Sequence, residues 1–345
     1  MTIENALYKI GITHGDVNGI SYEVIMKALQ DNKMLELCTP IVYGLSKAAS
    51  FHRKAIEMTD FNFQFIKAAN QATLKRPNLI NLSDTEVKIE FGAVSKEVGN
   101  MAEKALDAAC KDLKAQFIDA IVTAPINKQS IQSPTFHFNG HTEYFTHHFN
   151  AQESMMLMVT DRLKIGFVTN HLSIEQVAKE LTRELILKKL RILHKSLVQD
   201  FACTNPKIAV LSLNPHAGDG NLLGREENDK IIPAINQAYE EKINAVGPFP
   251  ADGFFGAGKY SQFDAVLAIY HDQGMLPFKL LSQGEGVNYT AGLPIVRTSP
   301  AHGTAFDIAG KNRSSGQSMR NAIYLAIDIL RNRRNIQEYT PESKQ

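Results

Sequence analysis

Three histidines stand in one repeated context, a short apolar run followed within a few residues by an imidazole. The segments are Ile165-Gly-Phe-Val-Thr-Asn-His171, Ile208-Ala-Val-Leu-Ser-Leu-Asn-Pro-His216 and Ala265-Val-Leu-Ala-Ile-Tyr-His271. Such runs read as buried strands, and ligands of open α/β sheets bind beyond the carboxyl ends of strands. Three neutral imidazoles delivered to one crevice, with a fourth position open, would suit a catalytic divalent ion. The plainer alternative is that each ring caps a loop or bonds a carbonyl. For any single one of the 11 histidines that is the ordinary reading, and only the repetition weakens it. His216 lies in Asn214-Pro-His-Ala-Gly-Asp-Gly220, whose glycines would let backbone approach a ligand closely. Asp272, next to His271, could orient that ring, relay a proton or cap a helix.

A phosphate or carboxylate needs fixed donors and positive charge. The candidates are His141 and Thr142 in Phe138-Asn-Gly-His-Thr-Glu143, with Lys279, Asn288 and Arg297. A lone Lys or Arg is usually a solvated surface charge; nearness to the histidine segments raises these. Arg297 follows Leu293-Pro-Ile-Val296 and reads as another strand-end position, and Lys128 closes Thr123-Ala-Pro-Ile-Asn-Lys128 in the same way. The stretch Ile12-Thr-His-Gly-Asp-Val-Asn-Gly-Ile20 has neither the Walker spacing nor GxGxxG. A tight strand-to-helix turn explains Gly15 and Gly19 equally well.

These residues must be positioned by alternating strands and helices. Leu7 to Thr13, Pro40 to Gly44, Ile118 to Ala124, Met155 to Val159, Ile165 to Thr169, Ile208 to Leu213 and Ala265 to Tyr270 read as strands. Met101, Ala105, Leu106, Ala109, Leu113 and Phe117 recur at helical spacing. Ser173 with Gln176 makes a capping-box pattern opening a helix whose apolar face continues to Leu193. A further helix runs from about Glu226 to Tyr239, with Pro233 as a kink or early break. This alternation predicts an α/β protein with parallel or mixed sheets covered by helices. The length of 345 residues suggests two lobes, and no linker marks their boundary.

The bulk numbers exclude several classes. Hydrophobic residues make up 44% and charged residues 21%, as in ordinary globular enzymes, and a formal charge of +1 gives no field to attract nucleic acid or an anionic membrane. Cys38, Cys110 and Cys203 are scattered, which fits a reducing compartment and speaks against a disulfide scaffold or thiolate zinc site. Met1 to Gly15 shows no signal-peptide pattern, and no apolar run approaches the roughly 20 residues of a membrane helix. The expectation is a cytoplasmic enzyme.

With these motifs assembled, the chain resembles the 4-hydroxythreonine-4-phosphate dehydrogenase family of pyridoxal phosphate biosynthesis. The resemblance rests on Gly15-Asp16…Gly19-Ile20, Thr123-Ala-Pro-Ile-Asn-Lys128, Gly140-His-Thr-Glu143, Asn170-His171, Leu213-Asn-Pro-His-Ala-Gly218, Tyr270-His-Asp-Gln-Gly274, Gly286-Val-Asn-Tyr-Thr-Ala-Gly-Leu-Pro294, Arg297-Thr-Ser299 and His302-Gly-Thr-Ala305. It implies a two-lobed fold like isocitrate and isopropylmalate dehydrogenases, with residues 1–125 and 276–345 forming the cofactor-side lobe and 126–275 the second, to within about 15 residues. It implies His171, His216 and His271 as ligands of one divalent ion (zinc, magnesium, cobalt or manganese) and His141, Thr142, Lys279, Asn288 and Arg297 as substrate contacts. Lys279, Asp252 and Asp272 are the candidate acid-base groups, and His302, Gly303 and Asp307 the candidate loop for NAD or NADP. A homodimer with metal ligands drawn from both subunits is also implied.

The implied reaction is NAD-dependent oxidation of the C3 hydroxyl of 4-phosphooxy-L-threonine, then decarboxylation to 3-amino-2-oxopropyl phosphate. Protonated imidazoles cannot ligate a metal, so activity is expected to fall below about pH 6. The chain departs from the family pattern at Val17-Asn18, usually Pro-Ala, at Ser21-Tyr22, usually Gly-Pro, and at Gly253, usually Thr. The competing readings are a sister dehydrogenase of 4-phospho-D-threonate or 4-phospho-D-erythronate, an acyl or phosphoryl transferase of similar fold, and a non-catalytic metal-binding or ligand-sensing protein.

Overall fold

The computed structural model describes residues 7–339. In chain order the strands are β1 (Tyr8–Thr13), β2 (Cys38–Gly44), β3 (Gln64–Ile66), β4 (Asn78–Asn81), β5 (Ala120–Thr123), β6 (Met155–Val159), β7 (Lys164–Phe167), β8 (Lys207–Leu211), β9 (Asn244–Phe249), β10 (Ala265–Ala268), β11 (Val287–Ala291) and β12 (Arg297–Pro300). The chain divides into two compact units. One runs up to Asn150 and takes in Pro294–Leu330; the other comprises Ala151–Leu293 and the chain from Arg331.

In the first unit the strand order is β3-β4-β2-β1-β5-β12, with all pairs parallel. β1, β2 and β5 are fully or almost fully buried apolar runs, as strands covered by helices on both faces must be. The Lys96–Lys114 helix forms where Val98, Ala102, Ala105, Leu106, Ala109 and Leu113 face inward behind the Ser95 cap. Phe117, expected on that face, lies past the helix end and is exposed, because Gln116 turns the chain with φ 60°. Residues 126–150 belong here through hydrogen bonds onto the same helix: the Tyr144 hydroxyl donates to Asp107 Oδ1 at 2.5 Å and Ser133 Oγ to Glu103 at 3.0 Å.

In the second unit the order is β11-β6-β7-β10-β8-β9. β11, β6 and β7 pair antiparallel, and β7, β10, β8 and β9 pair parallel. The sheet is therefore mixed, and β7, β10 and β8 are adjacent and point the same way. The end of the chain joins this unit through Arg333, whose Nε donates to the buried Asp200 carboxylate at 2.7 Å.

Three sequence expectations need correction. The helix expected to run from Ser173 past Leu193 is two helices, Ile174–Glu180 and Arg183–Gln199, because Leu181 is extended and Thr182 caps a new start by accepting from Leu185 N. Pro233 does not break its helix: helical backbone runs on from Glu227 through Glu240, with a π-helical turn at Glu227–Ile231 immediately before the proline. Arg297 does not follow a strand but opens β12, aligned with Ile121, so Leu293–Val296 is a connection. Strands β3, β4, β9 and β11 gave no clear run in the sequence, being short or broken by polar residues. No helix among the described residues is long and apolar enough to cross a membrane.

Candidate active site

In the first unit, β1 lies between β2 and β5: the chain runs from β1 to β2 on one side and returns from β4 to β5 on the other, so the ends of β1 and β5 flank a switch point, where such sheets form a ligand crevice. The loops at those ends are Thr13–Gly19 and Ala124–Lys128. They are tied together: Asp16 N donates to Pro125 O at 2.8 Å, and Gly15, at φ 63°, has no room for a side chain because a Cβ would stand 2.3 Å from Pro125 O. The loop after β12 closes on the same place, since Ile20 N donates to Thr304 O and a Cβ on Gly19 would come within 2.6 Å of that oxygen. Gly19 is thus required by close approach.

Around this crevice stand the candidate anion ligands. Arg297 is 1% exposed, donates to Thr123 Oγ1 at 2.6 Å and lies 5.8 Å from the centre of the Phe145 ring. Burial lowers its pKa to about 9, opposed by the carboxylate of Glu143. His141 opens the His141–His148 helix with Thr142 in its first turn, where unpaired backbone N–H groups favour an anion. Burial, then the nearby charges of Arg297 and Lys128, hold the His141 pKa well below the usual imidazole value, so the ring is neutral at physiological pH. Its Nε2 is buried with no protein partner. The cations Arg297 and Lys128 both act on the His141 ring, with the Glu143 carboxylate as the acidic group that acts on Arg297, and an excess of donors of this kind suits a phosphate.

The candidate cofactor loop is also in this unit. The His302 ring is braced by Gly303 O at 3.0 Å and Ser318 Oγ at 2.8 Å, Gly303 faces open space, and Asp307 lies in a short 3-10 turn with its carbonyl accepting from Lys311. An open backbone edge beside a fixed ring is compatible with a dinucleotide lying along it.

Sequence reasoning missed the layer packed against the first loop. His14 stacks on Tyr22 and Tyr22 meets the tilted ring of His52, with ring centres 5.9 and 5.4 Å apart, all buried. Tyr22 Oη donates to Leu45 O and accepts from Leu45 N, and a His52 Nε2–H donates to Val17 O at 2.7 Å. Asn18 donates to Ala93 O and accepts from Glu90 N. The departures Asn18 and Tyr22 are therefore the residues that fasten this loop to its surroundings. Burial lowers the pKa of both His14 and His52 to about 4. Burial also raises that of Asp16, against hydrogen bonds from Asn18 N and Ser130 Oγ.

In the second unit, the loops after β7, β10 and β8 carry His171, His271 and His216 to one edge of the sheet. The rings of His171 and His271 lie 6.2 Å apart, centre to centre. Two imidazoles on one zinc-like ion, with metal–nitrogen bonds near 2.1 Å, would have centres roughly 5 to 6 Å apart, so this pair stands just wider than that spacing. His271 Nδ1 bonds Asp272 Oδ1 at 2.7 Å, which leaves Nε2 as the nitrogen a metal would take. His216 opens a run of left-handed residues, His216 to Asn221, with φ between 41° and 79°. Left-handed backbone costs a non-glycine residue about 1 kcal/mol or more. Among the described residues, no group of three or more His, Cys, Asp or Glu is arranged to hold a metal ion. The chain thus brings two of the three predicted histidines together and leaves the third outside.

The remaining predicted residues are dispersed in this unit. Lys279 is in the last turn of the His271–Ser282 helix, and partial burial lowers its pKa. Asn288, on β11, has a buried Oδ1 with no protein partner. Asp252 is exposed in the first turn of the Ala251–Gly256 helix. A cavity of about 750 Å³ lies elsewhere, beside Ser46, Phe51, Lys54 and Lys67 in the first unit, and contains none of these residues.

A 4-hydroxythreonine-4-phosphate dehydrogenase of Bacteroides thetaiotaomicron is 52% identical over 332 residues, covering 96% of this chain and 91% of that protein. A proposed D-threonate 4-phosphate dehydrogenase of Oceanobacillus iheyensis is 39% identical over 326 residues, covering 93% and 97%. The crystal structure of 4-hydroxythreonine-4-phosphate dehydrogenase from Klebsiella pneumoniae superposes with a TM-score of 0.80 at 32% identity, over 95% of this chain and 99% of that one. Residues 36–326 match the family described as pyridoxal phosphate biosynthetic protein PdxA, and the chain belongs to that family.

Proposed function

We propose that this protein is a cytoplasmic dehydrogenase that oxidises the C3 hydroxyl of 4-phosphooxy-L-threonine with NAD or NADP and a divalent ion. Loss of carbon dioxide then gives 3-amino-2-oxopropyl phosphate. The observation that carries the reading is the buried Arg297 beside the neutral His141 at a helix N-terminus, a built receptor for a phosphate. The 52% relative supports the L-threonine-derived substrate.

A bound nicotinamide would supply the hydride acceptor for C3, and a bound cation would supply the Lewis acidity that makes the neighbouring alcohol more acidic. The chain's own residues do the rest. Arg297, His141 and Thr142 hold the phosphate and so fix the distance from it to C3. A neutral His141 donates a hydrogen bond without adding charge, and Arg297 supplies the charge. Lys279, its pKa lowered by burial, is the group suited to take the hydroxyl proton, with Asp272 and Asp252 as lesser candidates. Asn288, on its unpaired oxygen, accepts from a substrate ammonium or hydroxyl. His302, Gly303 and Asp307 would line the cofactor. His171 and His271 would hold the cation, with His216 supplied by a second copy of the chain.

That last element is supported by apolar exposure next to each histidine. Leu172 and Ile174 follow His171, Leu222 and Leu223 follow His216, and Leu276 and Leu280 lie on the His271 helix, with Leu222 80% and Leu280 77% exposed. Exposed large apolar side chains grouped on one unit mark an association surface. Sedimentation should give a dimer, and a monomer that turns over at full rate would remove this part of the reading.

The second reading, oxidation of 4-phospho-D-threonate, is favoured by the Oceanobacillus relative and by the unusual first loop. A substrate panel decides: 4-phosphooxy-L-threonine, 4-phospho-D-threonate and 4-phospho-D-erythronate are offered to chelated protein with each metal restored, and reduced nicotinamide is followed. Turnover of the L-threonine derivative alone is expected. Turnover of only a sugar-acid phosphate selects the second reading, and none with any substrate overturns both.

A further inference from the structure

The three histidine turns of the second unit leave three different strands, yet one series of hydrogen bonds fastens them, and it runs through Gln273. The Gln273 side chain accepts from Ile269 N through Oε1 at 2.8 Å and donates to Ser212 O through Nε2 at 2.6 Å. Ile269 stands two residues before His271, and its carbonyl accepts from Thr169 N at 3.1 Å and Thr169 Oγ1 at 2.8 Å. Thr169 stands two residues before His171. On the other side, Ser212 Oγ donates to Asn214 O at 2.9 Å, two residues before His216. The buried Glu227 carboxylate then accepts from Leu213 N and Asn214 N, both at 2.8 Å, and from Asn214 Nδ2 at 3.0 Å. Gly218 belongs to the same construction, because a Cβ there would lie 2.8 Å from Glu227 Oε2. The left-handed run at His216 is held from beneath by these contacts.

Chemistry explains why a glutamine is needed. One partner is a backbone N–H and requires an acceptor; the other is a carbonyl and requires a donor. A primary amide offers one of each on the same plane. A carboxylate would meet the N–H but set a charged oxygen against Ser212 O, and leucine would satisfy neither. We propose that Gln273 is a positioning residue that sets the spacing of the three histidine turns, joining the β10 turn directly to the β8 turn and, through Ile269, to the β7 turn. The proposal rests on the reading of these histidines as cation ligands.

Cobalt(II) binding to the metal-stripped full-length protein tests it, with affinity measured by competition titration and site geometry by the cobalt absorption spectrum. Gln273→Glu should weaken cobalt binding about 10- to 100-fold and change the spectrum, the effect usual for residues that orient metal ligands. Thr169→Val, which removes a single link and keeps the side-chain shape, should fold normally and show the same spectral change with a smaller loss, so the test survives if Gln273→Glu does not fold. His271→Ala is the control and should abolish tight binding. If wild type and His271→Ala bind cobalt alike, the ligand reading fails and the proposal with it. If His271→Ala loses binding while folded Gln273→Glu and Thr169→Val keep wild-type affinity and spectrum, the ligand reading stands and the positioning role is overturned.

Discussion

The two units place their functional groups in opposite ways. In the first, the polar groups are turned inward: His14, His52, Asp16, Asn18 and Arg297 are all buried, and each is held by protein or stacked against a ring. In the second, His171 and His216 are exposed, His271 is half-buried, and exposed leucines surround them. A receptor for an anion that arrives from water must be prearranged, because a guanidinium taken out of water is tolerable only where its partners are already fixed. A cation site can remain open at one side, because its ligands are neutral and lose little by standing in solvent. The contrast predicts that damage in the first unit is felt in stability as well as in catalysis, and damage in the second in catalysis alone.

The largest effect expected is that of His271→Ala. Turnover should fall by at least about 10³-fold, while the urea midpoint shifts by less than the equivalent of about 0.5 kcal/mol, as for other solvent-facing substitutions. A large loss of stability would place His271 in the core and erase the contrast. Arg297→Lys should raise KM for the phosphorylated substrate about 100-fold, because a single ammonium cannot reproduce the fork, and should also cost about 1 to 2 kcal/mol of stability through Thr123. Steady-state kinetics and denaturant unfolding on the same sample read both. An unchanged KM would remove Arg297 from the site.

Acid should expose the same difference. His14 and His52 have folded pKa values near 4 against an ordinary value of 6.5. Between these limits the unfolded chain takes up protons that the folded chain refuses, so stability is constant above about pH 6.5 and is lost as pH falls toward 4. Each ring contributes up to about 3 kcal/mol over that window. His52→Gln, which can still donate to Val17 O, should flatten the fall measured by unfolding at pH 7 and pH 5, whereas His271→Ala should leave its slope as in the wild type. Equal slopes in all three proteins would refute the assignment. The smallest effect is that of Tyr22→Phe, which keeps the ring contacts with His14 and His52 but strands Leu45 N and O. A loss of about 1 to 2 kcal/mol is expected from thermal unfolding, and no loss would mean that the departure at this position has no structural weight.

The strand-end context of His171, His216 and His271 was visible in the sequence because a buried parallel strand is an unbroken apolar run and the residue after it has a forced location. The anion-binding candidates His141 and Arg297 were visible only as residue types; the sequence assigned Arg297 to the wrong end of a strand because Leu293-Pro-Ile-Val296 is as apolar as a strand, yet the strand itself begins at Arg297. His14 and His52 were not visible at all. Nothing in the spacing of two histidines 38 positions apart says that Tyr22 will stand between them, since that depends on which helix covers which strand.

What the linear chain determined by itself was the alternation of strands and helices, the family, and the chemical repertoire at the loop tips, because period, turn chemistry and motif are local properties. Tertiary structure alone decided that β10 lies between β7 and β8, that Gln273 can therefore reach Ser212, and that Asn18 meets Ala93 while Tyr22 meets Leu45. Those outcomes depend on strand order and on contacts between residues tens of positions apart, and hydrogen bonds of that kind leave no periodic mark on the sequence.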